Sequence, residues 1–254
     1  AARSLQNAVD ATMNGDEVWV ADGTYYVTEE IAVAVPMQIR SVNGPEWAIL
    51  RRLEGDTGII RLAGAGITLD GFTLEAGCVT NGATSRAAGA SADQGAVIRN
   101  CIIRDNVKAT AGGAGGLVLD NGARAINCLV YNNSGADGEG TAGGVQVERG
   151  ASLINCTVVN NTKTGGTGIG GIWQTGTGAV YVDNSIVWGN QYAAGADAAN
   201  VAATGGGALY LRHTCFEDAS GQQSPLNSFS SDPLLVDAAA SNLHLEAASP
   251  CLNA

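Results

Sequence analysis

The chain has 254 residues, including 36 glycines and only 5 prolines. It contains 13 lysines and arginines and 24 aspartates and glutamates. The net charge of −11 repels phosphate backbones and anionic lipid surfaces, which argues against nucleic-acid binding. No stretch approaches the roughly 20 consecutive apolar residues of a membrane helix, and the chain opens without a signal-peptide core, so no membrane insertion is expected.

A short capping helix is predicted at the N-terminus. Leu5, Ala8 and Val9 share one helical face, and Ser4 precedes them as a suitable N-cap. Alternating strands are expected next, over residues 15–20, 37–41 and 59–62. The helix would then cover the open edge of the first coil of a solenoid.

From residue 69 onward the sequence repeats with a period of 27 to 29 residues. The aligned segments begin at Leu69, Ile98, Ala125, Leu153, Val182 and Leu211. Such a period predicts one supersecondary unit per repeat, here a strand, a corner and two further strands. The predicted fold class is all-β, a right-handed parallel β-helix with a short N-terminal capping helix. A single domain is expected over residues 1–254, with an N-terminal cap at 1–16, coils at 17–218 and a C-terminal cap at 219–254.

Two columns of asparagine run through the aligned repeats. The first contains Asn100, Asn127, Asn155 and Asn184, and the second, six residues later, contains Asn106, Asn133, Asn161 and Asn190. Asparagine tolerates the left-handed conformation, and asparagine side chains stacked on successive coils hydrogen-bond to one another. Both columns are therefore expected to be structural corner residues. His213 stands in the first column and is expected to be another corner residue.

Three of the six cysteines form a column of their own. Cys101, Cys128 and Cys156 each follow a first-column asparagine and recur at the coil period. Stacked coils lie about 4.8 Å apart, slightly beyond the usual ~3.8 Å between the β-carbons of a disulfide. These cysteines are therefore predicted to form an inward ladder of free thiols. Of the others, Cys215 and Cys251 are candidates for a bridge near the C-terminus.

Paired glycines precede one strand of several repeats, at residues 115–116, 143–144 and 170–171. A side chain at such positions would block a sharp bend or the close approach of two coils. The last full coil departs from this pattern, because residues 208–211 align with residues 179–182. Residues 191–204 are therefore expected to be an insertion.

Motifs spread over the chain resemble those of the pectate-lyase-like superfamily. They are Ser4-Leu5-Gln6, residues 15–25, the glycine-pair and Asn-Cys columns, and Ser249-Pro250-Cys251. Within this superfamily the chain is similar to bacterial β-helix proteins with polymorphic outer-membrane protein repeats. The resemblance implies a right-handed β-helix but no single activity, because the superfamily holds lyases, hydrolases, adhesins and passive surface domains.

A polysaccharide lyase needs a base and a cation that stabilises the enolate. Arg104, Asp105 and Lys108 are the nearest candidate constellation, although a solvated corner explains them as well. Arg86 and Arg99 would join Arg104 and Lys108 in a basic groove if these four side chains converge.

A hydrolase needs paired carboxylates, and a metal site needs clustered oxygen ligands. Asp120, Glu148 and Asp183 end strands of different coils but lack the motifs of the pectin hydrolases. Asp137 and Glu139, in a glycine-rich loop, are candidate ligands for calcium, with an exposed polar turn as the alternative. No cofactor other than calcium is expected.

Aromatic side chains give the remaining functional signal. Tyr131 and Trp188 share one column, and Trp173 should point outward from its strand. Exposed aromatic faces stack on sugar rings, so these three residues are candidates for carbohydrate binding.

The leading hypothesis is a non-catalytic structural or adhesive domain of a secreted or cell-surface bacterial protein, because coil geometry explains nearly every recurrent residue. The expected partners are a polysaccharide or other copies of the chain. The alternatives are a carbohydrate-active enzyme, namely a polysaccharide lyase, and a glycan-binding module.

Overall fold

The computed structural model of the chain describes residues 4–80, 86–136, 140–193, 200–221 and 223–252. The helical elements are α1 (Leu5–Asp10) and a C-terminal 3₁₀ helix, η1 (Pro250–Leu252). The strands in chain order are β1 (Glu17–Val20), β2 (Gly23–Val27), β3 (Ile31–Val33), β4 (Gln38–Ser41), β5 (Ala48–Arg52), β6 (Ile60–Ala63), β7 (Thr68–Asp70), β8 (Thr73–Glu75), β9 (Cys78–Val79), β10 (Ala90–Asp93), β11 (Val97–Arg99), β12 (Ile102–Arg104), β13 (Val107–Lys108), β14 (Gly113–Ala114), β15 (Leu117–Leu119), β16 (Arg124–Ile126), β17 (Leu129–Tyr131), β18 (Ser134–Gly135), β19 (Thr141–Ala142), β20 (Val145–Val147), β21 (Ser152–Ile154), β22 (Thr157–Val159), β23 (Thr162–Lys163), β24 (Ile172–Gln174), β25 (Val180–Asp183), β26 (Ile186–Trp188), β27 (Gln191–Tyr192), β28 (Val201–Ala203), β29 (Leu209–Arg212), β30 (Cys215–Phe216), β31 (Ala219–Gly221), β32 (Gln223–Leu226), β33 (Leu235–Asp237) and β34 (Asn242–Leu245).

Three long parallel sheets form the walls of the solenoid. Sheet A contains β1, β4, β7, β11, β16, β21, β25, β29 and β32, sheet B contains β2, β5, β8, β12, β17, β22, β26 and β30, and sheet C contains β3, β6, β10, β15, β20, β24, β28 and β31. A shorter sheet D, made of β9, β13, β18, β23 and β27, lies between sheets B and C along each coil. Successive coils thus add one strand to each wall, and the predicted all-β parallel β-helix is confirmed.

The core is a continuous column of apolar side chains inside these walls. In sheet B, for example, the inward position is held in register by Leu74, Ile103, Val130, Val158 and Val187, all fully buried. Alternate residues of each strand point inward, so every coil buries its apolar side chains against the coils on either side.

The turn from sheet A to sheet B depends on one left-handed residue per coil. Asn100, Asn127, Asn155, Asn184 and His213 all adopt φ near +50° in this turn. Their side chains touch between coils, since Asn127 Nδ2 donates to Asn100 Oδ1 at 3.3 Å. The first asparagine column is therefore a set of corner residues, and His213 continues it as predicted.

The second asparagine column is a buried hydrogen-bonded ladder. Asn106 donates to Asn133, Asn133 to Asn161, and Asn161 to Asn190, each from Nδ2 to Oδ1 at 2.9 Å. Asn190 donates in turn to Asn200 at 2.9 Å, which the sequence alignment missed because Asn200 follows it by only ten residues. The ladder thus runs through successive coils and satisfies polar groups that water does not reach.

The cysteine column lies inside the core, as the repeat predicts. Cys101, Cys128 and Cys156 are buried, and all three thiols are free. Hydrogen bonds to Cys101 and Cys156, together with burial, raise the pKa of the Cys128 thiol. Ser185 continues the column, with its Oγ accepting a 3.1 Å hydrogen bond from the Cys156 amide.

Both ends of the solenoid carry additional elements. Ser4 Oγ accepts a hydrogen bond of 3.2 Å from the Asn7 amide, and helix α1 buries Leu5 and Val9 against the first coil, as predicted. Beyond β32, strands β33 and β34 pair antiparallel and fold back over sheet B, where Asn160 Nδ2 donates to Ala238 O at 2.8 Å. None of the helices in the described part of the chain combines the length and apolar character needed to span a bilayer.

Two boundaries differ from the sequence prediction. Strands β31 and β32 still pair with β28 and β29 in parallel, so the sheets extend beyond residue 218, where the C-terminal cap was expected to begin. Residues 191–204 are not a simple insertion, because β27 and β28 join sheets D and C there. The repeat alignment ended with the segment that begins at Leu211, so it did not register β31 and β32.

The connections between sheets B and C build a second layer on the outside of sheet C. Paired glycines bring successive coils close together there, and a β-carbon on Gly116 would lie 2.6 Å from Gly144 O. Outside the main core, this layer encloses a separate apolar cluster of Ala87, Ala114, Val118, Ala142, Ile169, Trp173 and Ala202. Part of the outer face of sheet C is therefore covered.

Candidate functional site

The predicted catalytic candidates have different partners. Arg104 lies on sheet B and pairs with the buried Glu75 carboxylate at 2.7 Å and with Asp105 at 3.8 Å. Burial would lower the pKa of Arg104, but Tyr131 and Glu75 more than offset it, so this pKa is raised. Lys108 is buried, and its Nζ donates to Thr110 Oγ1 at 2.8 Å. Its pKa is lowered by burial, with Asp56 and Glu30 opposing that shift.

The basic groove that would need four converging side chains does not form. Arg99 pairs with Asp70 at 2.8 Å on sheet A, whereas Arg104 pairs with Glu75 on sheet B. Arg86 pairs with Asp120 at 2.8 Å beside sheet C, and Lys108 is buried on sheet D. The coil distributes these side chains over different walls, because they stand at different positions along one turn of the solenoid.

Two of the three predicted sugar-stacking aromatics are buried. Trp173 does point outward from its strand, but it is only 8% exposed because the second layer covers it, and its Nε1 donates to Thr204 Oγ1 at 2.9 Å. Tyr131 is 7% exposed on sheet B, where Arg104 and the C-terminal segment surround it. Trp188 is half-buried in the same column. The expectation of flat exposed rings is wrong for Tyr131 and Trp173.

The calcium candidates Asp137 and Glu139 lie outside the described residues. Within the ranges that the structure does describe, no group of three or more histidine, cysteine or acidic side chains is arranged to hold a metal ion.

A cluster of ionised side chains lies where strands of sheet C end, and the sequence did not reveal it as a unit. Asp120 and Glu148 follow the paired residues Leu119 and Val147, so the two carboxylates occupy equivalent positions on neighbouring coils. Arg86 reaches them from the preceding connection, at 2.8 Å from Asp120 Oδ2 and 3.3 Å from Glu148 Oε1. The available signal was the coil period, which places Asp120 and Glu148 one above the other.

Arg149 completes this cluster from the other side. Its guanidinium pairs with Asp120, and it lies 3.6 Å from Glu148 Oε2. The Asp120 side chain is fully buried, and its other oxygen accepts a hydrogen bond of 2.7 Å from the Asn121 amide. We call Arg86, Asp120, Glu148 and Arg149 the arginine–carboxylate cluster.

Neutral side chains also donate hydrogen bonds to the Glu148 carboxylate. Gln146 Nε2 donates to Glu148 Oε1 at 2.6 Å, and Thr175 Oγ1 donates to the same oxygen at 3.1 Å. Gln146 Oε1 accepts in turn from the Gly113 amide at 2.9 Å. The cluster is therefore a satisfied network that ties three coils to the second layer.

The exposed aromatics of the described chain lie instead in the first two coils. Trp19 is 58% exposed on β1 of sheet A, and Trp47 is 57% exposed at the corner that joins sheets A and B. At this corner Trp47 O accepts a hydrogen bond of 2.8 Å from the Gly23 amide. Asp22 accepts a hydrogen bond of 2.9 Å from Asn43 Nδ2. Asp22 follows Trp19 by three positions, so at most about 10 Å of extended chain separates this aromatic residue from the polar pair.

No protein-family model matches this chain, and no curated protein sequence matches it. Among solved structures, pectate lyase Pel9A is similar over 96% of this chain and 84% of its own, with a TM-score of 0.52 and 13% identity. Pectin methylesterase from Aspergillus niger is similar over 91% of this chain and 84% of its own, with a TM-score of 0.49 and 13% identity. ORF18 of Geobacillus virus E2 gives a TM-score of 0.38 at 10% identity, over 88% of this chain and 56% of its own.

At this level of identity the likeness concerns the fold alone. Pectate lyase Pel9A covers nearly the whole chain, and its likeness agrees with the parallel walls described above. The chain therefore has the pectate-lyase-like fold, a right-handed parallel β-helix.

Proposed function

We propose that this chain is a non-catalytic structural or adhesive domain of a secreted or cell-surface protein. The observation that carries the proposal is the arginine–carboxylate cluster. Within the described residues it is the densest group of ionised side chains, and its carboxylates and guanidinium groups pair with one another. Each carboxylate there is held by two guanidinium groups. The cluster therefore supports a bracing role for these residues.

The geometry of this cluster opposes acid–base chemistry. A general base must reach the substrate proton with a free lone pair, whereas both oxygens of Asp120 already accept hydrogen bonds and the side chain is buried. In a glycoside hydrolase the scissile bond lies between two carboxylates. In this chain the Arg86 guanidinium occupies the space between Asp120 and Glu148.

The remaining surface suits contact with a partner. The sheet faces that neither α1 nor the second layer covers are the surface left for a polysaccharide or another copy of the chain. The cap formed by α1 covers the N-terminal edge, so self-association through this end would need the helix to move. The net charge of −11 favours a neutral glycan over a polyanion.

The experiment is a screen of the purified chain against neutral and acidic polysaccharides, with and without calcium, including the pectate and pectin that the structural neighbours are named for. Turnover is read from unsaturated products, new reducing ends and released methanol, and binding from co-sedimentation. The proposal expects no turnover on any polymer. Turnover of any polymer would replace the proposal with the enzyme alternative, a carbohydrate-active enzyme such as a polysaccharide lyase.

A glycan-binding module is the second candidate, favoured by the exposure of Trp19 and Trp47. An indole face stacks on the apolar face of a sugar ring, and the neighbouring Asp22 and Asn43 offer hydrogen-bonding groups for hydroxyls. The test compares Trp19→Ala and Trp47→Ala with Leu53→Ala, an exposed non-aromatic residue of the same coils. Glycan binding that falls at least tenfold in both tryptophan variants and stays unchanged in Leu53→Ala supports this candidate. Equal binding in all three removes it.

A further inference from the structure

Two thiols meet where the C-terminal segment returns to the last coil. Cys215 begins β30 and is buried, whereas Cys251 belongs to η1 and is partly exposed. Both line one small cleft beside Phe229. The chain between them is anchored at both ends of this cleft, since Cys215 Sγ donates to Ser231 O at 3.2 Å and the Cys251 amide donates to Ser249 Oγ at 3.1 Å.

The two side chains line the same cleft as free thiols. Burial, followed by the charge and hydrogen bond of Cys251, raises the pKa of Cys215 to about 12. Cys215 is therefore protonated at neutral pH, and the thiolate is the form that attacks a disulfide. Cys251 is the more accessible of the two and would react first with a reagent in solution.

We infer that Cys215 and Cys251 form a disulfide under oxidising conditions and so fasten the C-terminal segment to the last coil. The oxidant is a small-molecule disulfide such as oxidised glutathione. The Cys251 thiolate attacks one sulfur of the reagent, forms a mixed disulfide and releases one thiolate. Cys215 then loses its proton to the solvent and attacks the Cys251 sulfur, which releases the second thiolate. Two protein thiols are oxidised, and one reagent disulfide is reduced to two thiols.

The core thiols are expected to stay reduced under the same conditions. Cys101, Cys128 and Cys156 are buried and lie in the turns between sheets A and B of successive coils, whose spacing of about 4.8 Å exceeds the usual separation of disulfide β-carbons. Cys215 and Cys251 belong to different elements that can adjust to each other. The bridge would hold the β33–β34 hairpin, which rests on sheet B through Asn160 and Asn132. This inference is independent of the proposed function.

The experiment is oxidation of the folded chain over a range of oxidised to reduced glutathione ratios, followed by thiol blocking and peptide mass spectrometry. Trypsin alone leaves Cys215 and Cys251 in one peptide, because no lysine or arginine follows Arg212, and a glutamate-specific protease alone leaves Cys156 and Cys215 in one peptide. The two proteases are therefore used together. The expected product is a linked pair of peptides containing Cys215 and Cys251, with alkylated Cys101, Cys128 and Cys156.

Thermal unfolding supplies a second readout. The midpoint is expected to rise on oxidation in the wild type and in Cys78→Ser, and to stay unchanged in Cys251→Ser, whose partly exposed substitution should preserve the fold. The inference is overturned if both thiols remain alkylatable at every ratio. It is equally overturned if Cys251 pairs with Cys78 or with a second chain.

Discussion

The side-chain amide of Asn133 donates a 2.9 Å hydrogen bond to the amide oxygen of Asn161 on the next coil, out of reach of water. The same Asn133 amide also donates to Ile103 O at 2.9 Å and to Tyr131 O at 3.1 Å. One side chain therefore satisfies backbone carbonyls of its own coil and of the preceding one. The ladder links coils that otherwise interact mainly through their walls and core.

Replacement of Asn133 by alanine should destabilise the chain by roughly 3 kcal/mol, because several buried donors and acceptors lose their partner together. The free energy of unfolding in urea is the measurement. Asn127→Gly is the matched control, since Asn127 is an exposed corner residue with positive φ that glycine adopts readily, and a change within about 0.5 kcal/mol is expected. Equal losses in the two variants would contradict a special role for the buried ladder.

Trp173→Ala should cost about 3 to 5 kcal/mol of stability, since the indole fills the apolar cluster under the second layer. Trp19→Ala should change the free energy of unfolding by no more than about 0.5 kcal/mol, because that ring is exposed. Chemical denaturation of both variants makes the comparison. A small effect at Trp173 would mean that the second layer does not pack on it in solution.

Asp120→Asn should cost about 3 kcal/mol, because it removes the buried carboxylate that both guanidinium groups bind and leaves them only Glu148. Asp183→Asn is the comparison, since Asp183 pairs with Arg212 at the surface and such pairs contribute about 1 kcal/mol or less. Denaturation at low and moderate salt gives both values. A loss at Asp120 no larger than that at Asp183 would argue against a bracing role for the arginine–carboxylate cluster.

Lys108 should make stability rise with pH in the alkaline range. Burial lowers the pKa of Lys108 from the ordinary value of 10.5, so at pH values just below 10.5 the unfolded chain binds more protons at this site than the folded chain. Stability then increases as the pH rises through this window. The measurement is the difference in unfolding free energy between the wild type and Lys108→Met as a function of pH. A difference that stays flat or falls up to pH 10.5 would contradict the stated sign.

The walls of the solenoid could be predicted from the sequence, because the coil period aligns residues that occupy the same structural position in each repeat. Asn133 and Cys128 are examples, since a stacked residue must suit its neighbours above and below. Asn200 escaped the prediction because it joins the ladder from a different connection, ten residues after Asn190. The coil period identifies equivalent positions within the strands and corners. It does not reveal the conformation of the connections between strands.

The functional candidates were harder to predict for the same reason. The outward direction of Trp173 follows from strand alternation, but its burial depends on connections from several coils. Asp120 and Glu148 were recognisable as strand ends, whereas the approach of Arg86 and Arg149 depends on loop conformation. Side chains that meet through loops carry no periodic signal.

The most direct test of the central claim compares turnover by the wild type with turnover by Asp120→Asn/Glu148→Gln, on a uronate polymer with calcium at high protein concentration. Circular dichroism and a denaturation curve check that the double variant, although less stable than the wild type, is folded at the assay temperature. The account predicts that product formation by both proteins equals that of the buffer blank. Product formation by the wild type that a folded double variant lacks would contradict it and would identify the arginine–carboxylate cluster as an active site.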